Sequence, residues 1–403
     1  MSEPGPGQIE QERAHQGLSR VLGFWTLTIY GVSVIIGAGV YVALGEVFAR
    51  AGAAAPLSFL LAGAAAGLTG LCYADLASRW PHAAGAALFA ERGFRSALMG
   101  RLVGLALLIA VGVAAASIGS GAVKFAGAFI AAPPWAMMSV LIIGFTLLAA
   151  AGVRESTGFA AIIGLIEVAG LVAAIATGLV RAPACDLAAF VPNDAAQWSG
   201  VGAGAFIAFF AFIGFEALAN MGEETLDPVR TLPRAILAAV AISVILYVLV
   251  AGAAIWGGSA GDDNPLLALF DGSSALVFAM VGALAIANGA LVEIVMLSRL
   301  CFGMAQNGRA PAFLGLVNAR TRTPVAATFA AGAFVLAIAL LLPFERLLVL
   351  SNVLTLGVFA TVNIALIRVR KDPSAPPAGM PAPAWAPPLA TLMTIGLVVW
   401  EFL

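Results

Sequence analysis

Eleven runs of roughly twenty mainly apolar residues follow one another along this chain, at about 23–45, 53–77, 98–130, 134–153, 158–181, 199–222, 234–257, 275–304, 325–343, 347–368 and 386–403. Each is long enough to cross the hydrocarbon core of a bilayer as a helix. A soluble fold of 403 residues has too little interior to hide a 62% hydrophobic chain behind 10% charged residues, whereas a chain dissolved in lipid need not hide it. The expected fold class is therefore all-α and integral to the membrane, with about eleven transmembrane helices. The runs 98–130 and 275–304 exceed the bilayer thickness and should tilt or project.

The placement of charge sets the direction of threading. With the N-terminus in the cytoplasm and the spans alternating, sixteen Lys and Arg residues fall inside, and only Arg50, Arg181 and Arg346 fall outside. Lys124 lies within the third span near its outer end, where it can snorkel. A missed or false span would scramble this asymmetry, so the bias also supports the count. Residues 1–22 are polar and lack the apolar core and cleavage site of a signal peptide; they read as a cytosolic tail. The low lysine content and the abundance of Ala, Gly and Arg point to a bacterium with a GC-rich genome, and so to the inner membrane.

In lipid every backbone polar group needs an internal partner, so a residue that breaks a span needs a reason. The first span carries Gly31 and then Ile35-Ile36-Gly37-Ala38-Gly39-Val40. Taken alone, Gly37-Ala38-Gly39 is more commonly a helix-packing motif. The sixth span changes that, because Phe206 to Glu216 again sets a glycine, Gly214, near mid-span among aromatics and before an acid. Interruptions at corresponding places in two halves of a membrane protein are the best sequence pointer to a transporter's site. The amides freed at the second half-helix, with the helix dipole behind them, suit a carboxylate.

These segments carry a family resemblance. Gly31 to Tyr41 resembles the first-span glycine motif of the amino acid–polyamine–organocation superfamily of transporters. Tyr73 to Pro81, with Gly85 and Phe89, resembles its stretch after the second span. Phe209 to Glu216 and then Glu223 to Ile236 are similar to its sixth span and the loop beyond, and Ser298 to Pro311 is similar to the end of its eighth span. Together they cover about residues 18–370 in the family's order. The resemblance implies a five-plus-five inverted-repeat, leucine-transporter-like fold with discontinuous helices 1 and 6. It divides the chain into a tail (1–22), a first repeat (23–181), a second repeat (199–370) and an additional C-terminal helix (386–403).

It also implies alternating access, with an amino acid or related amine as substrate. Carried over by position, the substrate carboxylate would meet the amides of Gly37, Ala38 and Gly39. Its amino group would meet carbonyls around Ile35, Phe210, Ala211 and Ile213, with Phe210 and Phe215 walling or gating the pocket. Relatives usually have twelve spans or more, but the repeat uses only ten. Asp75 stands where Glu is usual, and Glu167 stands where several proton-coupled relatives carry lysine.

Glu167, Glu216 and Glu293 lie inside apolar spans, where a charge costs on the order of 3 kcal/mol or more and usually faces a cavity. Glu167 is the candidate ion-coupling residue, either carrying a proton or holding a cation, with a permanently protonated carboxyl as the bland alternative. The coupling ion expected is H+ before Na+. Glu216 is given a structural or gating role, bonding loose amides. The Ala, Gly, Ile and Phe around the breaks suit a neutral or small amino acid, a preference that Glu216 or Glu293 near the pocket would reverse. On the cytoplasmic side, Asp75, Arg79, Glu223, Glu224, Asp227, Arg230 and Arg234 are expected to be mostly solvated, with an inner gate of ion pairs that opens in one state as the minority reading.

No cofactor, metal or nucleic-acid partner is expected, and monomer and homodimer both remain open. Cys72, Cys185 and Cys301 read as single thiols. An integral-membrane enzyme would need a nucleophile–base pair or metal ligands, yet no histidine lies in a span. An exchanger of the same fold and a non-transporting sensor or subunit are the remaining alternatives.

Overall fold

The computed structural model describes residues 22–37, 39–81, 85–127, 130–151, 157–182, 184–222, 225–262, 264–306, 310–318 and 323–403. Among these described residues thirteen α-helices follow in order: α1 (Phe24–Ile36), α2 (Gly39–Ala51), α3 (Ala55–Arg79), α4 (Gly85–Phe94), α5 (Ala97–Gly127), α6 (Pro134–Ala150), α7 (Thr157–Arg181), α8 (Ala195–Ala208), α9 (Pro228–Trp256), α10 (Gly272–Gln306), α11 (Val325–Leu341), α12 (Phe344–Val369) and α13 (Ala386–Glu401). Among the described residues seven helical stretches have the length and hydropathy to cross a membrane, and four shorter apolar helices accompany them. The fold is all-helical, as the apolar runs require.

The first span is α1 and α2 end to end. Each has 13 residues, about 20 Å, so neither crosses alone while the two together do. The sixth span starts at Ala195, where Asp194 caps the first turn by accepting from the Gln197 amide at 2.8 Å, and runs into two 3₁₀ segments, Phe209–Phe212 and Phe215–Met221. One helix, α4, lies in a stretch assigned to no span. Its buried face, Ala86, Phe89 and Ala90, packs against α5 and α12.

Large apolar residues cover the outside, among them Val140, Met280, Leu341 and Leu392, as a lipid-facing surface would have it. The ion pairs join helix ends that alternation puts on one side of the membrane. Asp75 pairs with Arg79 and Arg370, and Arg95 with Asp372, on the side where α1 begins. Arg50 pairs with Glu401, Arg181 with Asp271, and Lys124 with both Glu46 and Glu345, on the other.

Asp75 corrects the expectation that this first cluster is mostly solvated. It is fully buried, accepts from Arg79 Nε and Arg370 Nη2 at 2.7 Å each, and takes the Ala382 amide at 3.1 Å. It thereby pins the 371–385 segment, and with it α13, to the end of α3. Glu223 and Glu224 lie outside the described residues. Lys124 does not simply snorkel either, since its ammonium is shared between two carboxylates and lies 4.2 Å over the Phe344 ring.

Candidate functional site

The two interruptions meet. α1 ends at Ile36, where the Gly37 amide turns back to the Ser33 carbonyl at 3.0 Å, and α2 restarts at Gly39. Opposite, the sixth span tightens to 3₁₀ at Phe209, extends at Ile213, and turns through Gly214 at φ +124°. Only glycine holds that conformation without strain. A Cβ on Gly39 would stand 2.8 Å from Ala211 Cα, so the breaks touch backbone to backbone and Gly39 is what allows it.

Side chains from other helices satisfy the freed groups. The Tyr247 hydroxyl, from α9, lies 2.9 Å from both the Ile35 and Ala211 carbonyl oxygens. Asn352 Nδ2, from α12, donates to the Phe206 carbonyl at 2.8 Å. The Gly214 amide donates to the Glu216 carboxylate at 2.8 Å. Each is a buried main-chain group that would otherwise cost about 1–3 kcal/mol.

A cavity of ≈ 40 Å³ opens between the breaks, α5 and α10, with Ser33, Ile35, Gly37, Gly39, Phe210, Ile213, Asn288 and Glu293 among its walls. It shares Tyr30, Val34, Ala114, Ile213, Val292 and Glu293 with a second cavity of ≈ 360 Å³ that reaches Met221 and Arg299, toward the side where α1 begins. On the opposite side a vestibule of ≈ 710 Å³, lined by Tyr41, Glu46, Lys124, Asp262 and Phe344, shares no wall residue with the central cavity. Among the described residues, the centre thus shares its wall with the cavity on the side where α1 begins.

Of the residues singled out from sequence, Ile35, Gly37, Gly39, Phe210 and Ile213 line the central cavity. Ala38 lies outside the described residues. Ala211 does not face the cavity: its Cα backs onto Gly39 and its carbonyl is taken by Tyr247. Phe215 is no gate here, because it is wholly buried in an aromatic cluster, with ring centroids 5.6 Å from Tyr73 and 5.1 Å from Phe359. Glu216 lines the larger cavity as well as holding the Gly214 amide.

Glu167 sits on α7 behind the site and is fully buried. Its Oε1 accepts from Asn288 Nδ2 at 3.4 Å, its Oε2 is buried with no hydrogen-bond partner among the described residues, and its main-chain carbonyl accepts from the Tyr41 hydroxyl at 3.1 Å. α7 comes this close because glycines face its neighbours: a Cβ added at Gly164 would clash with Ser33, and one at Gly170 would stand 3.0 Å from the Tyr41 hydroxyl. Among the described residues no group of three His, Cys, Asp or Glu could hold a metal ion.

Sequence reasoning passed over Tyr247, Asn288, Tyr30 and Tyr41. A signal was present: the chain has 24 Phe but only 4 Tyr, so each hydroxyl in an apolar span is a departure. Tyr30 lines both cavities, Tyr41 bonds the Glu167 carbonyl, Tyr247 ties the breaks, and Tyr73 packs against Phe215.

Comparison with known proteins adds a second line of support. Residues 22–403 match the sequence model of the amino acid permease family. The chain is 28% identical to the branched-chain amino acid permease of Bacillus subtilis (strain 168), over 97% of this chain and 90% of that protein. It is likewise 28% identical to the methylthioribose transporter of the same organism, over 97% and 90%. To the vacuolar cationic amino acid transporter 4 of Arabidopsis thaliana it is 30% identical, over 93% of this chain but 66% of that longer protein.

Proposed function

Because the chain belongs to the amino acid permease family, we propose that it is a secondary active transporter that carries an amino acid across the membrane by alternating access, binding it at mid-membrane between the two interrupted helices. The family is one of permeases, so the protein is a carrier and not an enzyme. The single observation that supports the mechanism is the central cavity walled by Gly37, Gly39, Phe210 and Ile213, which among the described residues shares wall with the cavity on the side where α1 begins and none with the vestibule on the other.

The chemistry follows from the break. The first amides of α2 have no intrahelical partner and carry the positive end of its dipole, about half an elementary charge. The end of α1 presents carbonyls a few ångströms away. A zwitterion fits across such a gap, carboxylate to the start of α2 and ammonium to the end of α1, with no charged side chain needed.

Glu167 is the coupling residue in this reading, and the ion is a proton. Its carboxyl has one oxygen bonded to Asn288, which lines the central cavity, and one buried oxygen with no hydrogen-bond partner among the described residues. A carboxylate cannot stay charged in such a place without cost, and a proton relieves it. Tyr41 on α2 and Tyr247 on α9 face it without bringing a cation. The protein is placed in the bacterial inner membrane with its N-terminus in the cytoplasm.

Purified protein in liposomes, given labelled amino acids and an inward proton gradient, should accumulate substrate. No uptake of any amino acid would remove the transport reading. Glu167→Gln should abolish the dependence on the pH gradient, and uptake with an unchanged pH profile would take Glu167 out of the mechanism.

A further inference from the structure

The central cavity is small. At ≈ 40 Å³ it has room for about three water molecules, enough for the head of an amino acid and little more. A head group seated there lies against the polar side chains of the wall, and half-buried Asn288 of α10 is one of them. The same side chain reaches backward as well, where its Nδ2 donates to Glu167 Oε1, on α7, at 3.4 Å. One carboxamide thus stands between the buried acid and the cavity.

A carboxamide has two unlike edges, an NH2 that only donates and an oxygen that only accepts. A carboxylate only accepts, so an ionised Glu167 must be met by the NH2 edge, which leaves Asn288 Oδ1 for the cavity. A proton changes which edge fits. Glu167 Oε2 is buried with no hydrogen-bond partner among the described residues, so a hydroxyl formed there finds no acceptor. Formed on Oε1 it finds Asn288 Oδ1, once the amide turns over. The elements packed on α7 are α1, α9, α10 and the 3₁₀ turn Leu267–Leu269. The titratable groups they and α2 turn toward Glu167 are the phenols of Tyr247 and Tyr41. α1 carries Tyr30 but no charged residue, and the turn carries none. On α10, Glu293 and Arg299 lie about 8 and 16 Å along the axis from Asn288, and the arginines of α7 and α9 sit in end turns about 20 Å or more away.

We propose that Asn288 couples the proton to the substrate: protonation of Glu167 turns the amide over, and the NH2 then presented to the central cavity donates to the substrate carboxylate. This rests on the proton-coupled transport reading above and adds the link between its two sites. The proton forms an O–H bond on Glu167 Oε1 and leaves by breaking it, and no other covalent bond changes. With Glu167 ionised the cavity meets Oδ1, whose lone pairs repel a carboxylate. Substrate therefore binds with the proton and leaves with it, and each raises the affinity for the other by the same factor.

The probe is whichever of the common amino acids most raises the melting temperature of the wild-type protein, and its apparent affinity is read from that rise at about pH 6 and about pH 8.5, with labelled uptake into proteoliposomes alongside. Wild type should bind about tenfold or more tighter at the acid pH, the scale of a hydrogen bond to a charged group. Asn288→Leu, of nearly the same size but with neither edge, should bind at both pH values as weakly as wild type does at the alkaline one. Asn288→Gln, which keeps the carboxamide, should regain part of the pH dependence. Should Asn288→Leu lack a cooperative melt, Asn288→Ala is read in the same way. An asparagine with a merely structural role would lower the melting temperature of the empty protein on replacement and leave the acid-to-alkaline affinity ratio standing. That ratio surviving in Asn288→Leu or Asn288→Ala would overturn the inference and leave proton coupling at Glu167 intact. A ratio near one in wild type would overturn the coupling reading together with it. A wild-type protein that neither binds nor carries any amino acid would instead overturn the transport reading on which both depend.

Discussion

Replacing Gly39 with alanine should force the two helix interruptions apart. The added Cβ would stand 2.8 Å from Ala211 Cα and 3.4 Å from the Ala211 carbonyl carbon and Cβ. Carbon atoms pack at roughly 3.5–4.0 Å, so the gap must open by about 0.7 Å. The neighbour cannot yield by rotating a side chain, since the nearest atom is backbone and the adjoining carbonyl is held by Tyr247. Overpacking of this kind costs about 1–3 kcal/mol. The strain exists only while the breaks are in contact, so it disfavours that arrangement against any in which they separate, by about 5- to 150-fold. Gly144→Ala on α6 is the matched control, because nothing lies within 4 Å of the Cβ it would add. Removing that helix-interior glycine should, if anything, stabilise by about 0.5–1 kcal/mol. Thermal unfolding followed by tryptophan fluorescence, with uptake rates alongside, compares the two. Gly39→Ala should melt lower and transport more slowly, and Gly144→Ala should equal or exceed wild type. Identical melting curves and uptake rates for both variants would show that the interruptions do not touch backbone to backbone, and the argument built on their contact would fail.

Three further outcomes are expected. Tyr247→Phe keeps the ring contacts with Phe59 and Phe212 but strips the partner from the Ile35 and Ala211 carbonyls, so melting should reveal a loss of about 1–3 kcal/mol, and an unchanged melting curve would contradict the bridging role. Asp75→Asn removes the acid from a buried double ion pair, a loss near the lower end of about 3–5 kcal/mol because both arginines reach toward solvent; limited proteolysis should then cut the 371–385 segment faster than in wild type. Outside the spans, the Arg95 hydrogen bond, and then Ser374, hold the Asp372 carboxyl down at about 2. A depressed carboxyl stabilises the fold fully above its ordinary value, near 3.9, and the contribution disappears only as pH falls through about 2. Protease resistance of that segment should accordingly be flat from pH 7 to about 4 and fall between about 4 and 2, and Arg95→Ala should lower the plateau and shrink that fall.

The architecture was legible in the sequence to the extent that one-dimensional patterns encode it. Apolar runs of membrane-spanning length have a single inexpensive solution in lipid, so helix count and alternation followed, and the ion pairs between same-side helix ends agree with that alternation. The interruptions were legible because glycine in a span is conspicuous: Gly37, Gly39 and Gly214 mark where the backbone departs from helix. The short α4 was not, since ten residues with a narrow buried face make neither a span nor a strong period. Phe215 was misjudged because an aromatic beside a break reads the same whether it faces a cavity or, as here, packs edge-on against Tyr73. Asp75 was misjudged because its partner Arg370 is 295 residues away and nothing local announces the pair. Tyr247 and Asn288 belong to helices whose rotation no periodicity fixed, so their contacts with the breaks could only emerge in three dimensions.

The tyrosine bridge carries a physical consequence for the site. A hydroxyl has one proton to donate, and Tyr247 stands at equal distance from two carbonyls, one at the end of α1 and one in the 3₁₀ segment after α8. It can saturate either but not both, so the pair retains acceptor capacity of about one hydrogen bond. In a low-dielectric interior that deficit is costly to leave unfilled and is most readily filled by a cationic donor. An ammonium donating to the Ile35 carbonyl, the one of the two whose residue lines the central cavity, would release the hydroxyl proton wholly to the Ala211 carbonyl, so one donor would strengthen the hold on both interruptions at once. The break after Ile36 and the break at Ala211 are therefore joined through the Tyr247 hydroxyl of α9, and Gly39, which lets them touch, sets how far apart they stand.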